Sequence, residues 1–278
     1  MQDMKRITIV LVIYNTKINE SLSYEYFHKN ICDEDKLCIF DNSVDTSCQL
    51  FNSSYSYNKN ELYLSSGRNE GLSKAYNTVI QNIEKDSDNW IIISDQDTSY
   101  PENYISVVKN NINNTNAYVL CPIINDKLGI LSPCKSSWRG FSHIFDIDTN
   151  RLDKYSYINS GMVINSTVFS NIKYDENLFL DFIDHDFILQ LKQNELAKIQ
   201  LLENIKLFQN FSGAQINTKE QDFLRFKLFV TDGKYYYKKW NKKNPFKSYL
   251  LYKRCLKLII NYKDLAPIRF LIGRSKLK

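Results

Sequence analysis

The chain of 278 residues is 43% apolar, with only 8 Gly and 5 Pro, which suits one large domain or one domain with a modest appendage and excludes a disordered chain. Six cysteines, at 32, 38, 48, 121, 134 and 255, lack the paired spacing of a zinc site and read as reduced thiols in a cytosolic protein. The net charge of +5 is uneven: from residue 217 onward 17 Lys and Arg stand against 4 Asp and Glu, while the rest holds 19 against 27, so an acidic body carries a basic tail.

The apolar run 7–14 follows only two basic residues and is too short to cross a bilayer, so no signal peptide or membrane span is read there. Its β-branched residues, ended by Asn15 and Thr16, predict a strand buried on both faces, as in a parallel sheet. Three further apolar runs end on polar turns: 37–40 at Asp41-Asn42-Ser43, 62–64 at Ser65-Ser66-Gly67, and 90–93 at Ser94-Asp95. Between them a helix is predicted over 72–83, with Leu72, Ala75, Tyr76, Val79 and Ile83 on one face. Farther on, 118–124 and 198–208 read as strands, and 158–164 as a strand interrupted by Gly161. The stretch 187–196 reads as a helix, with Asp181, Asp184 and Asp186 clustered before it. Beyond residue 213 two or three basic amphipathic helices are predicted.

Strand, turn and helix in repetition imply an α/β sheet with right-handed crossovers. Ligands of such sheets gather beyond the carboxyl ends of the strands, where Asp41, residues 67–69 and residues 95–97 all fall. Asp95 and Asp97 supply two carboxylates one residue apart, able to hold a hard cation such as Mn2+ or Mg2+ against a diphosphate. The plainer alternative makes them solvated turn carboxylates before a helix that starts after Pro101.

In chain order the sequence reads Thr8-Ile-Val-Leu-Val-Ile-Tyr14-Asn15, then Phe40-Asp41-Asn42-Ser43, then Gly67-Arg68-Asn69-Glu70-Gly71-Leu72-Ser73-Lys74-Ala75-Tyr76-Asn77. Next come Ser94-Asp95-Gln96-Asp97-Thr98, Asn159-Ser160-Gly161, and Leu178-Phe-Leu-Asp-Phe-Ile-Asp184-His-Asp186-Phe. This series resembles the family 2 glycosyltransferases, especially their rhamnosyltransferase-like and galactofuranosyltransferase-like branch, over about residues 6–213. The resemblance implies a GT-A fold, an α/β Rossmann-like mixed sheet flanked by helices, over 1–213. Its nucleotide-binding half would end near residue 100, its acceptor-binding half would run from 101 to 213, and 214–278 would form a basic helical appendage.

Carried over by position, Asp41 would bind the pyrimidine base of a UDP- or dTDP-sugar. Tyr14 would line that pocket, with Asn69, Gly71 and Asn77 beneath the nucleotide. Each has a plain rival: Gly71 a turn glycine, Asn77 a polar residue in mid-helix, Tyr14 a core residue. Asp97, and less directly Asp95, would take Mn2+ or Mg2+ and the diphosphate. Asp184 would be the catalytic base, accepting the acceptor hydroxyl's proton opposite the leaving group. Near a helix N-terminus it is expected to stay ionised; the rival reading makes it a helix cap. Ser160, Gly161, Asp181 and Asp186 would lie on the acceptor side, with His185 a bystander. One position departs from the family pattern: where the branch places a metal-binding His before a Gly, this chain has Gln209 in Phe208-Gln209-Asn210-Phe211-Ser212-Gly213. An amide oxygen is a weaker ligand than imidazole, so Gln209 puts the metal site in question but not the fold.

The tail interleaves Tyr235, Tyr236, Tyr237, Trp240, Phe246, Tyr249 and Tyr252 with its Lys and Arg. Such a segment suits peripheral contact with the inner face of the plasma membrane, where a lipid-linked acceptor would be met. The alternative is helices that pack on the body or pair two subunits in a homodimer. Nucleic acid is set aside, since no recognised module accompanies the charge. The expected activity is inverting transfer of rhamnose, galactose or a similar sugar from a nucleoside-diphosphate sugar to a glycan hydroxyl, in surface polysaccharide biosynthesis. A relative that binds sugar nucleotide or glycan without turnover draws support from Gln209, against Asp97 and Asp184. A sugar nucleotidyltransferase would need a Gly-rich phosphate loop after the first strand, which the turn Tyr14-Asn15-Thr16-Lys17 lacks.

Overall fold

The computed structural model describes residues 5–137, 140–209, 218–241 and 250–273. The run at 7–14 forms β1 (Arg6–Ile13), and it lacks polar alternation because both of its faces are covered. Ile9, Leu11 and Ile13 enter one core, Val10 and Val12 the other. β2 (Lys36–Asp41), β3 (Glu61–Ser65) and β4 (Asn89–Asp95) complete a parallel set in the order β3-β2-β1-β4. The chain therefore steps outward from β1 on one side and returns to its other side at β4. At such a switch the loops leaving neighbouring strands part and open a crevice.

Beyond β4 the sheet is mixed. β8 (Met162–Asn165) runs antiparallel to β4, and β5 (Val119–Asp126) antiparallel to β8. β6 (Gly129–Ser137) and β7 (Gly140–Ile144) continue one edge, while β9 (Ile199–Phe208) lies parallel to β5. α1 (Leu22–Asn30) and α4 (Tyr104–Asn114) cover one face, packing Tyr24, Phe27, Tyr104 and Val108 on Ile9, Leu11 and Trp90. α3 (Leu72–Ile80) and α5 (Ile183–Gln193) cover the other, with Tyr76, Val79, Phe187 and Leu191 against Val10, Val12 and Ile93. Each such side chain contributes roughly 1.5–3 kcal/mol on burial.

The strands β6 and β7 have no counterpart in the sequence reading, and α1 and α2 (Thr46–Ser54) answer only to its unlocated helical stretches between strands. The two helices are short and rich in Ser, Asn and Tyr, so their apolar period is faint, and they form on capping by Ser21 and Asp45 and on tertiary packing. The predicted strand 158–164 shrinks to β8, because Gly161 at φ +71° turns the chain just before it. The predicted helix 187–196 starts earlier, at Ile183, behind Phe182 in the left-handed region.

The basic tail shares the core of the body. α6 (Lys219–Lys239) opens on a capping box of Thr218 and Gln221 and buries Phe226, Val230, Tyr236 and Tyr237 in the same core as α3 and α5. α7 (Leu250–Tyr262) adds Leu251, Cys255 and Leu258, and α8 (Ala266–Gly273) packs Phe270 beside them. The expected boundary at 213 lies outside the described residues, as do Asn210, Phe211, Ser212, Phe246 and Tyr249.

Candidate active site

Strand register lines up the site. Ile13 pairs with Asp41, Asp41 with Ser65, and Val12 with Asp95, so the turns after β1 to β4 leave one edge of the sheet. Tyr14 stands 42% exposed there. Asp41 is fully buried, and its carboxylate accepts from Ser43 N–H (2.9 Å), Asn52 Nδ2 (2.8 Å) and the Tyr63 hydroxyl (2.8 Å). A nucleobase could reach that carboxylate only where one of these partners gives way. Asn52 also accepts from Ile18 N–H and donates to Thr16 O, which ties the turn after β1 to α2. Asn42 donates to Asn69 Oδ1 (2.9 Å) and accepts from Glu70 N–H (2.7 Å), while Asn69 Oδ1 takes Gly71 N–H (2.9 Å). Asn42 and Asn52 thus position this edge. Neither stands out in so Asn-rich a chain.

Gly71 and Asn77 join the two halves of the molecule. Gly71 has φ +81°, and a Cβ there would lie 2.8 Å from both the ring and the carbonyl oxygen of Phe179. The next residue, Leu72, donates its N–H to that same carbonyl at 2.7 Å. Asn77 donates to Tyr174 O and Glu176 Oε1 (2.9 Å each) and accepts from Tyr174 N–H (3.1 Å). Its amide is spent on protein, so the expected place beneath the nucleotide gives way to an anchoring role.

At the end of β4, Asp95 accepts from the Ser160 hydroxyl and from the Tyr76 hydroxyl (3.3 Å). Asp97 is exposed two residues on. The turn between them is gripped by α1: the Ser23 hydroxyl reaches Asp95 O and Thr98 O, and Ser21 Oγ donates to Gln96 O (2.8 Å). Burial pushes the Asp95 carboxyl up, the Ser160 hydrogen bond opposes this, and the charges of Asp97 and Asp184 add to the rise. Asp97 lies two residues from Asp95 in the chain, and the charge of Asp184 acts on Asp95 through the protein interior.

Asp184 lies in the first turn of α5 with its side chain 20% exposed. Burial pushes its carboxyl up to about 6, against the N–H of His185, which donates to it at 2.8 Å. The group is still mostly ionised at neutral pH, as its place at the helix N-terminus predicts, but burial outweighs the helix dipole in setting its pKa. A dipole is worth about 0.3–1 kcal/mol at such a site, whereas a rise of some two pKa units is roughly 3 kcal/mol. His185 stands beside the base, stacked on Phe141 (3.3 Å between ring centroids), with Nδ1 2.7 Å from Ser156 Oγ.

The four residues expected on the acceptor side divide. Asp181 pairs with both terminal nitrogens of Arg225 (3.0 and 3.2 Å). Asp186, 1% exposed, is enclosed by Lys239 Nζ (2.8 Å), Trp240 Nε1 (2.7 Å) and Gln190 Nε2 (2.8 Å). It braces α5 against α6, and an acceptor could not touch it. Ser160 is fully buried, and Gly161 is packed so that a Cβ would meet Leu207 at 2.9 Å. Both are packed against protein, Ser160 between Asp95 and Gln209 and Gly161 against Leu207, Pro122 and Tyr100.

Ser160 also explains Gln209. Its one proton goes to Asp95, so it must accept from Gln209 Nε2, which lies 2.6 Å away. That orientation leaves Gln209 Oε1 buried with no hydrogen-bond partner among the described residues, at a cost of about 1–3 kcal/mol. The leftover amide oxygen and the carboxylates of Asp95 and Asp97 are hard oxygen donors of the kind a divalent cation takes. Among the described residues no three His, Cys, Asp or Glu side chains converge on one point, so further ligands would come from a bound diphosphate. The hydroxyl of Tyr76 is the contact the helical pattern hid: its ring is core, and its oxygen reaches Asp95.

Residues 9–174 match the family model described as glycosyl transferase family 2. The chain belongs to glycosyltransferase family 2. Over 148 residues it is 30% identical to the dTDP-rhamnosyl transferase RfbF of Shigella flexneri. That match covers 51% of this chain and 49% of RfbF, so the chain spans about half the length of the curated relative it matches. Among solved structures, GalNAc-T7 with UDP, GalNAc and Mn2+ superposes with a TM-score of 0.58 at 13% identity, over 83% of this chain and 48% of that one. The mannosyltransferase PcManGT of Pyrobaculum calidifontis, in complex with GDP-Man and Mn2+, gives 0.57 at 12% identity, over 99% and 81%. These likenesses establish the GT-A fold for this family 2 glycosyltransferase. A cavity of about 620 Å³ lies at the opposite end of the sheet, where Ala117 and Lys198 lead into β5 and β9, away from the carboxylates.

Proposed function

We propose that this protein is an inverting, metal-dependent glycosyltransferase acting on a glycan or lipid-linked glycan acceptor. It would move rhamnose, galactose or a similar sugar from a UDP- or dTDP-sugar in surface polysaccharide synthesis, in the cytoplasm at the inner face of the plasma membrane. The reading is supported by Asp95 and Asp97 standing at the carboxyl end of β4, on the edge that also carries Tyr14 and Asp41, with the charge of Asp184 in the first turn of α5 acting on Asp95. The name of the relative RfbF makes a dTDP-linked rhamnose the first donor to try.

The nucleoside would lie along the edge formed by Tyr14 and the loop of Asn69, with Asp41 holding that edge in shape. Asp97 and Gln209 Oε1, backed by Asp95, would hold Mn2+ or Mg2+, which when bound neutralises the charge that grows on the departing diphosphate. Asp184 would accept the proton of the attacking hydroxyl, opposite the leaving group. A carboxylate with a pKa near 6 is mostly ionised at neutral pH and more basic than an ordinary Asp, which suits a general base.

The test is thermal stabilisation by a panel of UDP-, dTDP- and GDP-sugars, each with and without Mn2+ or Mg2+. One pyrimidine-diphosphate sugar is expected to raise the Tm only when metal is present, and Asp97→Asn is expected to abolish that rise. A panel in which no nucleotide sugar shifts the Tm, or in which EDTA changes nothing, would refute the donor and metal assignments.

A further inference from the structure

The outward face of α7 carries Tyr252, Leu256 and Ile260, one helical turn apart and 57%, 53% and 73% exposed. Lys253 and Lys257, both exposed, run beside that row. The opposite face of the helix is the buried one, through Leu251, Cys255 and Leu258. α8, which packs on α7, repeats the arrangement. Leu265 just before it and Ile268 and Ile272 within it are exposed, with Lys263 and Arg269 also in solvent. Over 250–273 four basic residues, Lys253, Lys257, Lys263 and Arg269, are exposed, while Arg254 is turned inward over the Phe229 ring, and the one acid, Asp264, is paired with Lys219 at 2.6 Å. Exposing six large apolar side chains on two short helices is costly for a surface meant only to face water.

We propose that the outward faces of α7 and α8 form a docking surface for an anionic lipid bilayer, with the apolar rows entering the headgroup region and the Lys and Arg beside them meeting acidic headgroups. The charge argues for lipid over a second copy of this chain, since apposing two such faces would bring like-charged rows together. Among the described residues no helix is long and apolar enough to cross a membrane, so the helices would lie in the interface. The surface is coupled to the site. α6 packs on α7 and α8, and its Arg225 and Asp232 hold the side chain of Asp181 and the backbone N–H groups of Leu180 and Asp181. Docking would therefore set the height of the segment preceding Asp184 above the bilayer. The proposal rests on the function proposed above only in supplying a reason for docking, a lipid-linked acceptor.

The test is co-sedimentation of the full chain with vesicles of phosphatidylcholine alone or with about one third phosphatidylglycerol. Binding is expected only to the anionic vesicles. Lys257→Gln with Lys263→Gln is expected to weaken it at least tenfold, at about fivefold per charge, and Leu256→Ser with Ile260→Ser to abolish it. Since these residues lie on the surface, both variants should keep the wild-type Tm and the same stabilisation by nucleotide sugar, which separates this outcome from failure of the donor assignment. Wild-type protein that stays in the supernatant overturns the proposal. So does undiminished binding by both variants. A concentration-dependent dimer in light scattering that Ile260→Ser dissociates would give the surface to a second copy instead.

Discussion

Asp184 sits where two opposing effects can be weighed. The first turn of α5 favours its charge, yet burial wins and lifts its carboxyl to about 6. If it is the base, kcat/KM is expected to rise with pH through about 6 and level off above, since the protonated acid cannot accept a proton. Asp184→Asn should lower transfer by about 10²–10⁴-fold with donor stabilisation intact. The same shift has a consequence for folding. Between the ordinary carboxylate value and about 6 the folded chain holds a proton that the unfolded chain has released, so stability falls as pH rises through that window. Asp184→Asn is accordingly expected to raise the Tm at pH 7.5, by up to about 3 kcal/mol of stability, and to leave it unchanged near pH 3.5. A flat pH profile, or a less stable variant at pH 7.5, would refute the role or the burial argument respectively.

At the scale of elements, α3 is the hinge pin between halves. Its Gly71 admits the Phe179 backbone and its Asn77 binds the Tyr174 backbone. Asn77→Ala removes three hydrogen bonds, and roughly 2–3 kcal/mol of stability should go with them. Donor affinity at saturating metal should change by less than about threefold. If instead the Tm holds and donor binding collapses, the amide belongs to the nucleotide site. The pattern of α3 was legible as a helix because its apolar residues recur on one face. The anchoring contacts were not, because nothing local marks a half-buried mid-helix Asn that meets a chain segment nearly a hundred residues away.

At the scale of the whole molecule, α6 completes the core and is no detachable tail. Phe226, Val230, Tyr236 and Tyr237 are buried, and losing their burial at roughly 1.5–3 kcal/mol each would consume most of a typical folding stability of about 5–15 kcal/mol. A chain ending at residue 217 is therefore expected to be insoluble or to lack a cooperative melt by circular dichroism. A soluble, cooperatively melting truncation would show that the body folds alone. For the same reason the membrane surface is testable by point substitutions on α7 and not by deletion.

The parallel strands, their polar ends and the acidic pair at 95 and 97 follow from the sequence alone, because two-sided burial writes unbroken β-branched runs and the ligand edge must interrupt them. The basic charge of residues 217–278 is equally plain in composition. Only the tertiary structure decided which acids are available. Asp97 lies open, Asp186 is locked by Lys239 and Trp240, and Asp184 is raised by its surroundings. Gln209 presents its oxygen because Ser160, 49 residues earlier, has already given its proton to Asp95. Burial and hydrogen-bond direction are set by residues distant in the chain, and no local pattern records them.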